Sequence, residues 1–339
     1  MKKYLIFNMA ALALVFCLGA CDDGVEKATG ITLDKESVSI IIGNKDKINV
    51  AYEGSLDVRE IKWTSKDENI ATVTQYGVIY AVEEGSTEIE ATWNGTTKTI
   101  PITVTDPVVL PPRKASWLFD DADLLKAAVG NPLQYGRGGS GFDFKAECPT
   151  TDISGFSAVA GPSSENGAIR INKGYYLQAT NNLTPNGGGT KVNEYTMMWD
   201  IKLAAEFYKK WITLLQTEPA NTNDGDIFIN GGVGVGTTGR HGDVSPDEWH
   251  HIIASVKVGE GGFVSYYSDG VLLGTWAASG EHGTIDISRF ALGNNFLLFG
   301  DEDGDDNTVD AAEIAIWDSA LDANQVKKFE RLLGKGVRP

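Results

Sequence analysis

The chain has 339 residues and carries 29 Lys and Arg against 46 Asp and Glu, a formal charge of −17 with only four histidines. So acidic a chain repels a phosphate backbone, whose binding depends on neutralisation by Lys and Arg, which argues against nucleic acid and anionic headgroups as partners. Neutral ligands such as sugars remain compatible, as do cations, and solubility alone accounts for the excess acid.

At the N-terminus, Lys2 and Lys3 precede an apolar run from Tyr4 to Leu18, and Gly19-Ala20 lead into Cys21. Positive charge, an apolar core and small residues before a cut site make a secretory signal over residues 1–20. A membrane-spanning helix needs about 20 apolar residues; this run is shorter and Asn8 interrupts it. Leu18-Gly19-Ala20-Cys21 resembles the lipobox of bacterial lipoprotein signals, which implies that Cys21 becomes the lipid-bearing mature N-terminus. Asp22-Asp23 resembles the export signal of Bacteroidota surface lipoproteins, which implies an outer-membrane protein facing outward; in many proteobacteria an Asp at that position implies inner-membrane retention instead. Cleavage removes Lys2 and Lys3 and leaves the chain more acidic still. Cys17 leaves with the signal and Cys21 takes the lipid, so only Cys148 remains and no internal disulfide is expected. Cys148 sits beside Pro149 without a cysteine-protease context, and a packed thiol is expected there.

Residues 21–30 are polar, acidic and aperiodic, the pattern of a flexible tether. From residue 31 to 106 short strands follow one another, including Val38–Ile42, Ile61–Thr64, Ala71–Val73, Gly77–Val82, Glu88–Trp93 and Thr99–Val104. Period-two alternation of β-branched residues argues an antiparallel sandwich. Asn94-Gly95 is a hairpin turn, since both residues accept positive φ. Trp63-Thr64-Ser65, Ile70-Ala71-Thr72-Val73, Gly77-Val78-Ile79, Ala81-Val82 and Gly85-Ser86-Thr87 resemble the group 2 bacterial immunoglobulin-like domain in order and spacing. The resemblance implies that Trp63 fills the core, that Gly77 and Gly85 occupy turns, and that the domain is a spacer or an adhesion module, a spacer being expected of a single copy. Residues 107–114, rich in proline, read as a short stiff linker.

The rest, 115–339, is again strand-rich. Tyr195–Leu203, Trp211–Gln216, Asp226–Ile229, Trp249–Val258, Phe263–Ser268, Val271–Gly274, Phe296–Phe299 and Ala312–Trp317 are its expected strands, with a turn at Asp269-Gly270. One helix follows Asp322, with Gln325 at the capping-box position and Val326, Phe329, Leu332 and Leu333 as its buried stripe. The expected fold class is therefore all-β: an immunoglobulin-like sandwich, then a jelly roll with a short C-terminal helix. Glu248-Trp249-His250-His251, Tyr267-Ser268-Asp269-Gly270 and the stretch from Ala312 to Leu321 resemble the laminin-G-like jelly roll of the concanavalin A superfamily.

The densest carboxylate cluster is Asp301-Glu302-Asp303-Gly304-Asp305-Asp306-Asn307. Asp301, Asp303, Asp305 and Asn307 could converge hard oxygens on one Ca²⁺, and the superfamily resemblance favours such a site. It is not an EF-hand, because Asp306 stands where glycine is required and Ala312 at the twelfth position. The competing reading is a solvated turn whose side chains bond the local backbone. A second oxygen-rich turn, Asn221–Asp226, suits a tight hairpin by itself. His250 and His251 point to opposite faces of a strand, so the pair does not ligate one ion, and one of them is expected inside the sandwich.

Catalytic strings are missing. Glycosidases share the superfamily, and its laminarinase-like families carry Glu-x-Asp-x-x-Glu on one strand, a string this chain lacks; Asp200 stands alone in its strand, Glu248 and Glu281 sit beside turn residues, and no Gly-x-Ser-x-Gly elbow occurs. Gly231–Gly236 is expected to let strands approach closely rather than to cradle phosphate. Sugar binding needs aromatic platforms, for which Tyr135, Tyr176, Trp211 and Trp276 are candidates by type, whereas Trp249 and Trp317 fall in core motifs. The sequence thus points to a lipid-anchored, non-catalytic surface protein binding extracellular glycan or a glycosylated partner, with Ca²⁺ as the one candidate cofactor. A glycan hydrolase on the same fold and a purely structural envelope protein are the alternatives.

Overall fold

The computed structural model describes residues 27–138, 147–219, 226–235, 239–277, 286–300 and 306–338. The chain divides into two compact units, Met1–Pro107 and Val108–Pro339. The signal, Cys21 and Asp22-Asp23 lie outside the described residues.

In the smaller unit, Val38–Ile41, Thr96–Thr105, Gly85–Trp93 and Lys62–Ser65 form one sheet in that order, and Lys45–Lys47, Val78–Ala81 and Ala71–Val73 a second. Alternation explains the core. Thr87, Ile89 and Ala91 on one strand and Ile100, Ile102 and Val104 on its neighbour point inward, against Ala71 and Ile79 of the other sheet. The Asn94-Gly95 turn joins these two strands with both residues at positive φ, as expected. Val38–Ile41 runs parallel to its partner, pairing Val38 with Ile102 and Ile41 with Thr105. Gly77 sits at φ +72°, and a Cβ there would lie 2.5 Å from the Ile48 carbonyl and 2.9 Å from the Trp63 ring. Trp63 itself is only half-buried and bridges two core clusters. The ordered fold begins before residue 31: Ala28 is buried and its N–H donates to the Ser55 carbonyl at 3.1 Å. A small apolar side chain and one backbone bond are enough to draw the end of the polar stretch into the sandwich.

The larger unit is a second sandwich. One sheet carries Ala127–Val129, Ala115–Trp117, Val309–Trp317, Glu194–Lys202, Trp249–Lys257, Phe263–Ser268 and Val271–Ala277 in that order, with the hairpin Phe156–Ala160/Gly167–Ile171 also paired to Val309–Trp317. The other carries Gln134–Arg137, Tyr175–Thr180, Asn295–Leu298, Ile212–Gln216, Asp226–Asn230, Gly232–Gly234 and Arg240–His241. Inward residues such as Met197, Trp199, Ile252, Ala254, Ile314 and Ile316 meet Leu177, Leu214, Ile227 and Phe296 from the facing sheet. Gly232 and Gly234 behave as expected: a Cβ on Gly234 would lie 1.8 Å from the Gly239 carbonyl, so only glycine lets these strands pair.

The helix Ala323–Leu333 covers the outer face of the nine-stranded sheet. Val326 and Phe329 pack on Met198, Ile253, Ala315 and Trp317. Its capping box is formed, with Asp322 accepting from the Asn324 and Gln325 N–H groups and Gln325 returning a bond to the Asp322 N–H. Val108 and Val109 do not hang free as part of a linker. Lys328 donates to the Val108 carbonyl and Gln325 to that of Val109, so the first linker residues lie along this helix.

A β-bulge shapes the outer face. Asp200 pairs with Glu313 and Ile201 with Ala311, so Ala312 is the extra residue. The bulge keeps Asp310 and Glu313 on the same, outward side while Ala311 and Ile314 face the core.

Candidate functional site

The four expected aromatic platforms fare differently. Tyr176 is fully buried with Leu297, Cys148 packing against them, and Trp276 is 2% exposed with its ring 5.9 Å from Phe290. Tyr135 is half-buried against the main core, 4.4 Å from the Phe156 ring. Alternation turns Tyr135 and Trp276 towards the main core, whereas Tyr176 lies on the opposite face from Leu177 and is buried with Leu297 beneath Cys148. Trp211 alone of the four keeps a partly open ring outside the core, because it precedes the fully buried strand Ile212–Gln216. Tyr175, the neighbour of Tyr176, is not free either: its hydroxyl bonds Asp152 at 3.1 Å and the Arg137 guanidinium lies 6.0 Å from its ring.

Around Trp211 the chain assembles a polar and aromatic patch. The ring meets Phe228 edge-on at 5.6 Å, and the exposed Arg240 guanidinium stands 4.9 Å from its centroid. The Asn230 amide, oriented to satisfy both neighbours, donates to the Lys209 carbonyl at 3.0 Å and accepts from Trp211 Nε1 at 3.3 Å. Tyr208 donates to Asp243 at 2.8 Å, and Lys209 Nζ lies 4.9 Å from the Tyr208 ring. The positive φ of Lys209, +59°, marks the tight turn that presents these side chains. Sequence reasoning singled out only Trp211 here; the run Tyr208-Lys209-Lys210-Trp211, aromatic and basic ahead of a buried strand, is the signal that reaches the rest.

Two predicted site residues come together in this patch. Asn307 Nδ2 donates to the Trp211 carbonyl at 2.8 Å. Its predicted partners Asp301, Asp303 and Asp305 lie outside the described residues, as do Asn221–Gly225 and Glu281. Asp306 is buried and its Oδ2 accepts from the Gly174 N–H at 2.6 Å. Among the described residues no group of three or more His, Cys, Asp or Glu is arranged to hold a metal.

The remaining candidates resolve as follows. Cys148 is half-buried with Sγ 3.9 Å from Gln134 Oε1, and burial pushes its thiol pKa up, away from nucleophilic character. His250 and His251 do face opposite ways: His250, on the inward side with Ile201 and Ile252, is 12% exposed and bonds Ser245 and Asp269, and His251 bonds Glu330 on the helix-covered face. Although burial works against it, hydrogen bonds from His250, the His251 N–H and Ser268 hold the Asp269 carboxyl below its usual range. Trp317 is buried as expected, whereas Trp249, opposite Lys202 in register, is half-buried with Lys202 Nζ 5.1 Å from its ring. Glu248 is exposed and accepts from Ser245. Asp200 lies on the outer face of the nine-stranded sheet, between Glu313 and His251 in register.

Fold and site make this an all-β chain of two sandwich modules. Residues 27–104 match the family model of the bacterial Ig-like domain (group 2), which identifies the first module. No curated protein matches the chain. Among solved structures, the botulinum neurotoxin type G receptor binding domain aligns at 10% identity with a TM-score of 0.41, covering 66% of this chain and 52% of its own. The receptor binding domain of the botulinum neurotoxin C/D mosaic serotype aligns at 11% identity with a TM-score of 0.41, covering 65% and 51%. Domains 4 and 5 of the S-layer protein SbsC align at 24% identity with a TM-score of 0.21, covering 23% and 52%. The chain thus spans about half the length of each of these structures.

Proposed function

We propose that this protein is lipid-anchored through Cys21 at the outer membrane and displays a laminin-G-like binding unit on an immunoglobulin-like spacer. The larger unit binds extracellular glycan, free or on a glycoprotein, and turns nothing over. The observation that carries this reading is the patch at Trp211. A pyranose offers C–H faces to an aromatic ring and hydroxyl edges to planar polar groups. Trp211, with Arg240, Lys209 and Asp243 nearby, supplies both kinds of partner. Ca²⁺ on Asp301, Asp303, Asp305 and Asn307 belongs to the same reading, which is supported by the bond Asn307 Nδ2 donates to the Trp211 backbone carbonyl.

One observation favours a second reading, glycan hydrolysis. Asp200 and Glu313 are direct cross-strand neighbours on the outer face of the nine-stranded sheet. A retaining glycosidase needs two carboxyls about 5–5.5 Å apart, one of them a proton donor. Glu313, however, is engaged through both oxygens, by Arg113 and by Arg338, which suits an anchor better than an acid. Binding therefore remains the better account.

A glycan array probed with the full chain, with and without chelator, tests the proposal. Wild type should retain a defined set of glycans, chelator should weaken them, and Trp211→Ala should lose them with melting unchanged. No retention by wild type, or full retention by Trp211→Ala, overturns it.

A further inference from the structure

On the outer face of the nine-stranded sheet, three neighbouring strands place Glu313, Asp200 and His251 side by side in register. They line a cleft of about 590 Å³, with the turn Pro162–Asn166 on one side and the C-terminal residues Leu333, Gly336 and Arg338 on another. This volume falls in the range of small-molecule sites, about 300–1,000 Å³.

The groups in the cleft are unequally satisfied. Glu313 is held by Arg113 and Arg338, and Arg338 also lies 3.8 Å from Asp120. His251 is shared between Glu330 Oε2 at 2.9 Å and Asp200 Oδ2 at 3.6 Å. Asp200 Oδ1 has no partner, although the side chain is only 8% exposed. A buried carboxylate oxygen without a donor costs about 1–3 kcal/mol or more, so it calls for one from a ligand. We propose that this cleft is a ligand site, separate from the patch at Trp211, that takes a sugar-sized, hydroxyl-rich molecule bearing a primary ammonium group.

Charge and lining select that class. Asp120, Glu165, Asp200 and Glu313 outnumber Arg338 and His251 among the lining residues, which disfavours an anion. A metal would want several converging oxygens, and the described residues offer no such set. An apolar amine would want an apolar wall, whereas Pro162 and Leu333 stand among Ser163, Asn166 and charged groups. An ammonium donates to Asp200 Oδ1, and ring hydroxyls meet the polar walls.

Titration of the full chain with glucosamine, glucose and N-acetylglucosamine, followed by calorimetry at a pH where the amine is protonated, tests the assignment. The three probes share one ring and differ in a single substituent. Glucosamine should bind about tenfold more tightly than either neutral sugar, the scale of a hydrogen bond to a charged group. Methylammonium should compete with it. Asp200→Asn should abolish the preference, Glu165→Gln on the exposed wall should reduce it about twofold at unchanged melting temperature, and Trp211→Ala should leave it intact. No heat with glucosamine at about 10 mM, beyond any millimolar affinity, overturns the proposal. So does equal affinity for all three sugars, or a preference that survives in a folded Asp200→Asn.

Discussion

Raising the pH should strip stability from the larger unit through one histidine. Burial alone would lower the pKa of His251, but the neighbouring carboxylates, Asp200 at 3.6 Å and hydrogen-bonded Glu330 at 2.9 Å, push it from 6.5 up to about 10. The unfolded chain lets this proton go near 6.5 while the folded chain keeps it. The contribution is therefore complete below pH 6.5 and is lost as pH rises through about 10. A displacement of that size corresponds to ~5 kcal/mol at 1.36 kcal/mol per pH interval. The His251 side chain is 29% exposed and Glu330 16%, so solvent screens the pair and about 2–3 kcal/mol is the expected loss. Denaturant unfolding of the larger unit, followed by tryptophan fluorescence at both ends of the interval, measures it. His251→Gln keeps a polar side chain but carries no charge. It should be the less stable protein at the acid end and lose little towards the alkaline end. Equal wild-type stability at both ends refutes the reasoning, as does a His251→Gln variant with the wild-type slope.

Other perturbations act on single elements. Arg113→Met should cost the larger unit about 3 kcal/mol in denaturant unfolding, because it leaves buried Glu313 without one of its two guanidinium partners. Gly77→Ala should cost the smaller unit at least about 2 kcal/mol by calorimetry, combining left-handed strain with the approach to the Ile48 carbonyl. Asp322→Ala removes the Oδ1 that accepts from the Asn324 and Gln325 N–H groups and should cost about 1 kcal/mol.

Local chemistry explains what the sequence discloses. Phe263–Ser268, Asp269-Gly270 and the strand after them are legible because alternation and positive-φ turn residues act between near neighbours. The capping box at Asp322 is legible for the same reason. Phe156–Ala160 escapes notice because Ser157, Ala158 and Ala160 are exposed and its place depends on pairing with Gly167–Ile171. Aromatic type does not tell an open ring from a core ring, so Trp211 and Trp276 look alike until register assigns their faces. The Asp200 cleft is invisible for a deeper reason. Glu313, Asp200, His251 and Arg338 come from separate stretches of chain, and the bulge at Ala312 decides which side Glu313 takes. Solitary acids in a sequence are neighbours only after three strands have paired.

The parallel pairing of Val38–Ile41 with the end of Thr96–Thr105 has a mechanical consequence. Tension applied from the two termini of the smaller unit would draw these strands past each other lengthwise. The rungs between them would then bear load together instead of parting one at a time, as they do when a hairpin is peeled from its open end. Such a clamp resists shear along the line joining the two ends of the domain.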